Sequence, residues 1–443
     1  MNTRRIVLFW IATLTLIAGS QVIANRTPTS APAAGAALNV EDVLSVPGMK
    51  STDGQLAFWR ERIEQTPQDF ISLTYLGQTF LRKARETGDV ADYQRAESAL
   101  SKAVDLDPDY EFALAYLAAA RFAKHDFRGA LDLATRVYSF DPQALQALAT
   151  IGDAQLELGN YDTAEAAFQQ LADRAPGAPT YSRLARLAWL HGHPDQALRL
   201  MQQAADDAAN GEASPENAAW YQCQLGELGF GTGALQEADA HYAAALQQFP
   251  NYYLALAGLA RVRAAEGHYA EAIELYQHAV AIIPQPEFLA GLGDLYSLTN
   301  RPDEAEQQYA TVEFIGKLAE INQVVYNRQL ALFSANHQRN VSDALTLAST
   351  ELTDRKDVYG YDAAAWALYK NGRDTEAKQA IDDAMRLGTR DALLYYHAGL
   401  IYARIGNQQQ AQALLTEALA INANFDPLQA PIARATLESL GRP

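Results

Sequence analysis

The sequence predicts an all-α solenoid of about ten stacked helix-turn-helix units, and three columns of residues predict it. An alanine recurs at Ala96, Ala130, Ala164, Ala197, Ala238, Ala272, Ala305, Ala344, Ala377 and Ala411, in steps of 33 or 34 residues broken by one step of 41 and one of 39. Five residues before it stand Gly159, Gly192, Gly233, Gly267, Gly372 and Gly406, where a tight turn between two helices needs a residue that tolerates positive φ. Four residues after it come Leu100, Phe168, Met201, Tyr242, Tyr276, Tyr309, Ile381 and Leu415, large enough to fill the space between paired helices. A unit of this kind buries its apolar face only by stacking on its neighbours.

Two further columns sharpen the register. Pro108, Pro142, Pro176, Pro250 and Pro284 lie twelve residues after the alanine, and proline both ends one helix and suits the start of the next. Twelve or thirteen residues before it are Leu117, Ile151 with Gly152, Leu184, Leu225 with Gly226, Leu259, Leu292 with Gly293, and Gly399. Small side chains there let two helix axes approach. These columns resemble the tetratricopeptide repeat family, whose pattern runs Leu-Gly, a turn glycine, Ala, an aromatic, Ala and Pro. The resemblance covers residues 53–425 and is best at "LGNYDTAEAAFQQLADRAP" and "AEGHYAEAIELYQHAVAIIP". It implies a right-handed superhelix in which the first helix of each unit lines a concave groove that binds a protein or peptide.

Along the chain, Arg4 and Arg5 precede an apolar run from Ile6 to Ala18, then Gly19, Ser20 and the Val22, Ile23, Ala24 triplet. Residues 1–24 therefore read as an export signal or, if uncleaved, as an N-terminal membrane anchor. Either way the arginines stay cytoplasmic and the solenoid crosses the membrane. Residues 25–52, rich in Pro, Ala and Thr, read as a tether. The solenoid occupies 53–425, with Phe58, Trp59 and Ile63 suited to cover its front face. In the first unit "RKARETGDVADYQRA" inserts extra chain, while the 41-residue step falls on "ADDAANGEASPENAAW", whose composition reads as a loop. The 39-residue step falls near "FIGKLAEINQ" and reads as extra helix, and the unit around Ala344 lacks both turn glycine and proline. Residues 426–443 read as a closing helix and tail, with Leu428, Ile432, Ala435, Leu437 and Leu440 on its apolar face.

Composition excludes several classes of function. The formal charge is −18, from 35 Lys and Arg against 53 Asp and Glu, and cleavage after Ala24 takes it to −20. A nucleic-acid partner needs a basic stripe, so none is expected. The single cysteine, Cys223, permits no internal disulfide and reads as a small core residue. "GELGFGTGA" lacks the third glycine of the dinucleotide fingerprint, any following Lys-Ser or Lys-Thr, and a preceding strand. Asp105, Asp107, Asp109 and Glu111 are spaced like the front of a calcium loop, but Tyr110 and Tyr116 stand where its glycine and bidentate Glu belong. His191 and His193 flank Gly192 without a third ligand. No hydrolase or metalloprotease motif is present, so the chain reads as a non-enzyme without cofactor or metal.

The resemblance leaves the inner wall as the candidate site. Its C-terminal units contribute Tyr326, Phe333, Tyr359, Asp362, Trp366, Tyr369 and Tyr396. These are either rings that anchor a bound peptide or packing between successive first helices. The central units contribute Asp153, Arg183, Arg186, Trp189, Glu227, Arg261 and Asp294, a mixed-charge wall that either grips a partner or pairs with itself. The reading that results is an exported, non-catalytic scaffold or adaptor of a bacterial cell envelope, extracytoplasmic and touching the membrane only through an uncleaved anchor. The alternatives are a substrate-recruiting subunit of an envelope enzyme, secretion or glycosyl-transfer complex, and a glycan or small-molecule receptor.

Overall fold

The computed structural model describes residues 49, 51–211, 213–321 and 327–441. The 1–24 segment, nearly all of the 25–52 tether, and Tyr326 lie outside the described residues. Among the described residues there are α-helices and no strand, and no helix is long and apolar enough to cross a membrane. A leading helix, α1 (Thr52–Gln65), is followed by the hairpins α2 (Phe70–Thr87) with α3 (Val90–Leu106) and α4 (Glu111–Ala123) with α5 (Phe127–Phe140), and then by α6 (Leu145–Glu157) and α7 (Tyr161–Arg174). Next come α8 (Ala178–Leu190) with α9 (Pro194–Asn210), α10 (Pro215–Gly231) with α11 (Leu235–Gln248), and α12 (Tyr253–Ala265) with α13 (Tyr269–Ile282). The last four hairpins are α14 (Pro286–Leu298) with α15 (Pro302–Ile321), α16 (Asn327–Asn336) with α17 (Val341–Asp354), α18 (Val358–Lys370) with α19 (Asp374–Met385), and α20 (Ala392–Arg404) with α21 (Gln408–Ile421), before a closing helix α22 (Gln429–Leu440).

Each recurring alanine sits near the start of the second helix of its hairpin, and nine of the ten are 0% exposed, Ala305 being 4% exposed. The turn column is held in positive φ throughout most of its length. His125 (φ 64°) and Asn300 (φ 59°) serve where glycine is missing, and Gln338 and Asn340 (φ 52° and 48°) do so before Ala344. Polar side chains start many helices: Ser51, Asp69, Asp89, Asp126, Ser214, Asp357 and Asp391 each accept a hydrogen bond from a first-turn amide. The 41-residue step does not form the loop its composition suggests. Its alanines extend α9 to Asn210, and Ser214 with Pro215 starts α10, each helix being 17 residues long. The 39-residue step goes into the 20-residue α15.

Pairing within a hairpin depends on missing side chains. A Cβ on Gly226 would stand 2.6 Å from the ring of Tyr242, one on Gly293 2.5 Å from Tyr309, and one on Gly399 2.6 Å from Leu415. The large residue of the second helix thus lies directly on the backbone of the first. Burying a side chain of that size contributes roughly 1.5–3 kcal/mol.

The chain divides into two compact units, one ending at Ala154 and one running from Gln155 to Pro443. In the first, Leu73, Ala103 and Ala113 form a core with Ile63, Phe70, Val104 and Tyr110, and Trp59 of α1 stacks on Tyr75 at 4.8 Å. In the second, first helices of successive hairpins touch one another (α10 with α12, α12 with α14, α14 with α16, α16 with α18, α18 with α20) while second helices do not approach comparably. The first helices therefore form the inside of the curve. α22 covers the last hairpin with Ala430, Ala433, Leu437 and Leu440; Ile432 and Ala435, expected on that face, are exposed. Asp426 starts it by accepting from the amides of Leu428 and Gln429 at 2.8 and 2.7 Å.

The second unit also returns on itself. The turn at 158–160 lies against the backbone of Lys356, the turn at 191–193 against Gly388, and the turn at 232–234 against Ile421 and Asn422, so that a Cβ on Gly159, Gly192 or Gly233 would collide with a carbonyl there. The equivalent glycines Gly267, Gly372 and Gly406 have nothing within 4 Å. Gly226→Val is expected to lower stability by about 1–3 kcal/mol through overpacking against Tyr242, read as a lower urea midpoint with unchanged helical circular dichroism in native buffer.

Candidate partner-binding wall

The position eleven residues before the recurring alanine faces the inside of the curve in the second unit. There it carries, in order, Arg186, Glu227, Arg261 and Asp294, with signs that alternate from one hairpin to the next. Glu227 forms an ion pair with Arg261 and accepts from the Tyr242 hydroxyl at 2.8 Å, and the Arg261 guanidinium lies 5.0 Å from the Phe230 ring. Asp294 accepts from the Tyr309 hydroxyl and pairs with His337 Nε2, each at 2.7 Å. Burial acts to lower the His337 pKa, but the hydrogen bond and charge of Asp294 outweigh it and raise the net value. These ions are half-buried and largely spoken for by their neighbours, so the wall is a ladder of pairs rather than a field of one sign.

Several predicted anchors stand behind the wall. Phe333, Asp362, Trp366, Tyr396 and Arg183 are all buried. Trp366 is stacked between Tyr369 at 5.0 Å and His397 at 4.1 Å, and its indole N–H donates to Asn336 Oδ1 at 2.7 Å. Tyr396 packs on Phe425 at 5.5 Å, Phe333 on His337 at 4.6 Å, and Asp362 binds His397 Nδ1 at 2.8 Å. Arg183 turns back to donate to the Pro179 carbonyl at 2.8 Å. The cause is the run of alanines around Trp366: Ala363, Ala364, Ala365 and Ala367 leave space between first helices that the rings fill. Tyr359 and Tyr369 remain half-buried, the latter under the Arg404 guanidinium at 3.4 Å.

Sequence reasoning missed three acids that start first helices or, for Asp426, the closing one. Glu287 is exposed, yet surrounding protein desolvates its carboxyl and holds it up at about 7. Accessibility together with desolvation is what a side chain standing in a concavity experiences. Burial and the nearby charge of Asp294 raise Asp426 to about 6, and burial raises Asp391. Their signal was the helix-start position itself, which capping already explained.

The structure brings together residues that the sequence kept in separate groups. Trp189 donates its indole N–H to the Tyr359 hydroxyl at 3.1 Å across 170 residues of chain. Beside them Glu157 pairs with Arg186 at 2.6 Å and with Arg355, while Arg328 reaches Asp357 at 2.7 Å and Glu351 at 3.3 Å. Three arginines thus face three carboxylates, with the Tyr161 hydroxyl accepting from the Val358 amide at 2.9 Å. Burial acts to raise the Glu157 pKa, but Arg186, Arg355 and Arg328 overcome it and lower the carboxyl from 4.5 to about 2. A folded-state pKa below the unfolded value gives stability that is present above about pH 4.5 and lost as pH falls toward 2. Thermal unfolding from pH 5 to pH 2 should therefore show a steeper loss of melting temperature for the wild type than for Glu157→Gln.

Two family models, both described as tetratricopeptide repeat, match the chain, one over residues 121–190 and 230–290 and the other over residues 392–425. No curated protein matches it. Similar solved structures include a chain of the APC/C hetero-tetramer Cut9-Hcn1, at 15% identity, covering 91% of this chain and 95% of that one with a TM-score of 0.33. Yeast Tom70 is similar at 15% identity, with coverage of 88% and 93% and a TM-score of 0.35. A tetratricopeptide repeat protein from Parabacteroides merdae is similar at 18% identity, with coverage of 62% and 99% and a TM-score of 0.35. The matched segments fall on hairpins whose alanine, turn and aromatic columns keep one register, so the chain contains tetratricopeptide repeats there, in a fold typical of protein–protein interaction scaffolds.

Proposed function

We propose that the chain is a non-catalytic scaffold or adaptor, exported to the cell envelope, that holds a protein or peptide against the inner wall of its second unit. The observation that carries this reading is the wall itself: first helices side by side, offering Glu227, Arg261, Glu287, Tyr359 and Tyr369 in accessible positions over a packed layer of Phe333, Trp366 and Tyr396. A surface of paired charges and half-buried rings suits an extended segment that carries both polar and apolar groups, because rings supply area at small entropic cost and the ion ladder supplies register. Export rests on the arginine-led apolar segment at residues 4–24.

Affinity capture from envelope extracts with the wild type beside a Glu287→Lys, Tyr369→Ala variant tests the wall. The variant is expected to keep its helical spectrum and lose a specific prey; recovery of the same proteins by both baits would remove the wall from consideration. Cell fractionation with an antibody to the solenoid tests the location, with the protein expected outside the cytoplasm and, if uncleaved, in salt-washed membranes.

A further inference from the structure

The place where the second unit meets itself is joined differently from the rest of the fold. The helix pairs in extensive contact are neighbours or next neighbours in the chain. What crosses the junction is turns, loops and helix ends. Gly159, Gly192 and Gly233 bring three successive turns onto the backbone at Lys356, Gly388 and Ile421. The Thr389 hydroxyl donates to the Leu190 carbonyl, the Asn422 side-chain Nδ2 to the Phe230 carbonyl at 2.7 Å, the Val358 backbone amide to the Tyr161 hydroxyl, and the Trp189 indole to the Tyr359 hydroxyl. The ion pair across the junction is Glu157 with Arg355, while Arg186 stays with Glu157 and Glu351, Asp357 and Arg328 stay with Arg355; the groups that part regain water, so opening costs little compared with separating packed helices.

We propose that this junction is a releasable clasp, which closes one turn of the solenoid and whose opening admits a partner to the inner wall. The admission role rests on the binding reading above; the clasp does not. Each hairpin is stabilised by its immediate neighbours, so the unit keeps its helices when the clasp is open. Opening separates the turns at 158–160, 191–193 and 232–234 from the loops at 355–357, 386–391 and 422–428, and leaves every hairpin intact. The clasp is thus a sub-global opening, of lower free energy than unfolding of the unit.

The Val358 amide reports on it directly. Val358 is the first residue of α18, where an amide has no acceptor within its own helix, and its bond to Tyr161 is its protection. Native-state hydrogen exchange on the full chain should show this amide protected, yet exchanging faster than that of Trp366 in the middle of the same helix. Gly192→Ala places a Cβ against the Gly388 carbonyl, whereas Gly267→Ala imposes the same positive-φ strain in open space. The first should speed Val358 exchange by roughly tenfold or more while the second leaves it unchanged. Tyr161→Phe, which removes only the acceptor, should abolish the protection with Trp366 unaffected. Exchange of Val358 and Trp366 with one common rate, or no protection of Val358 in the wild type, would overturn the clasp. Capture of a prey that is lost by the wall variant but unchanged by Gly192→Ala would overturn the admission role alone.

Discussion

The contact on which the structure depends is a large side chain laid on bare backbone. Tyr242 rests on Gly226 and Gly258, Tyr309 on Gly293, Leu415 on Gly399, each beside a buried alanine. The spacing of paired helices is fixed there, because neither a larger residue on the first helix nor a smaller one on the second would leave the interior at normal packing density. Spacing within hairpins in turn sets how the next hairpin stacks, and so where the column that carries Arg186, Glu227, Arg261 and Asp294 points. Local packing, repeated, decides the geometry of the wall.

That dependence explains which parts could be read from residues alone. Helical pairing, register and the alanine column were legible because a 34-residue period is one hairpin, and the same requirement recurs at every copy. The period hid where chemistry found a substitute: His125 and Asn300 take the positive φ that glycine takes elsewhere. The loop expected near residue 210 is largely helix, since polar and small residues in that segment are also acceptable helix formers and Ser214 with Pro215 makes a new start. The wall was legible in outline and not in depth. Whether Trp366 faces a partner or a neighbour depends on the alanines beside it, and a one-dimensional pattern marks both cases alike. The meeting of Trp189 with Tyr359 lay beyond any local rule, for it depends on curvature accumulated over several hairpins.

Charge illustrates the same point at larger scale. The net charge of −18 is not spread evenly over the chain. The inner positions of the second unit alternate in sign and satisfy one another, with Glu227 on Arg261 and Asp294 on His337. Much of the acidity remains on outer helix faces such as Asp303, Glu304 and Glu306 of α15, where it favours solubility. The pairs left accessible on the wall are a weak force one by one, and they fix the relative setting of adjacent hairpins.

The return of the chain onto itself also bears on the order in which the protein is made. Hairpins close over short stretches of sequence and so form quickly, whereas the contact between Glu157 and Arg355 spans 198 residues and waits for Arg355 itself. Until Asn422 has been translated, the Phe230 carbonyl that it will cap faces water. Contacts within hairpins can therefore form before those that close the second unit on itself, which need distant parts of the chain at once.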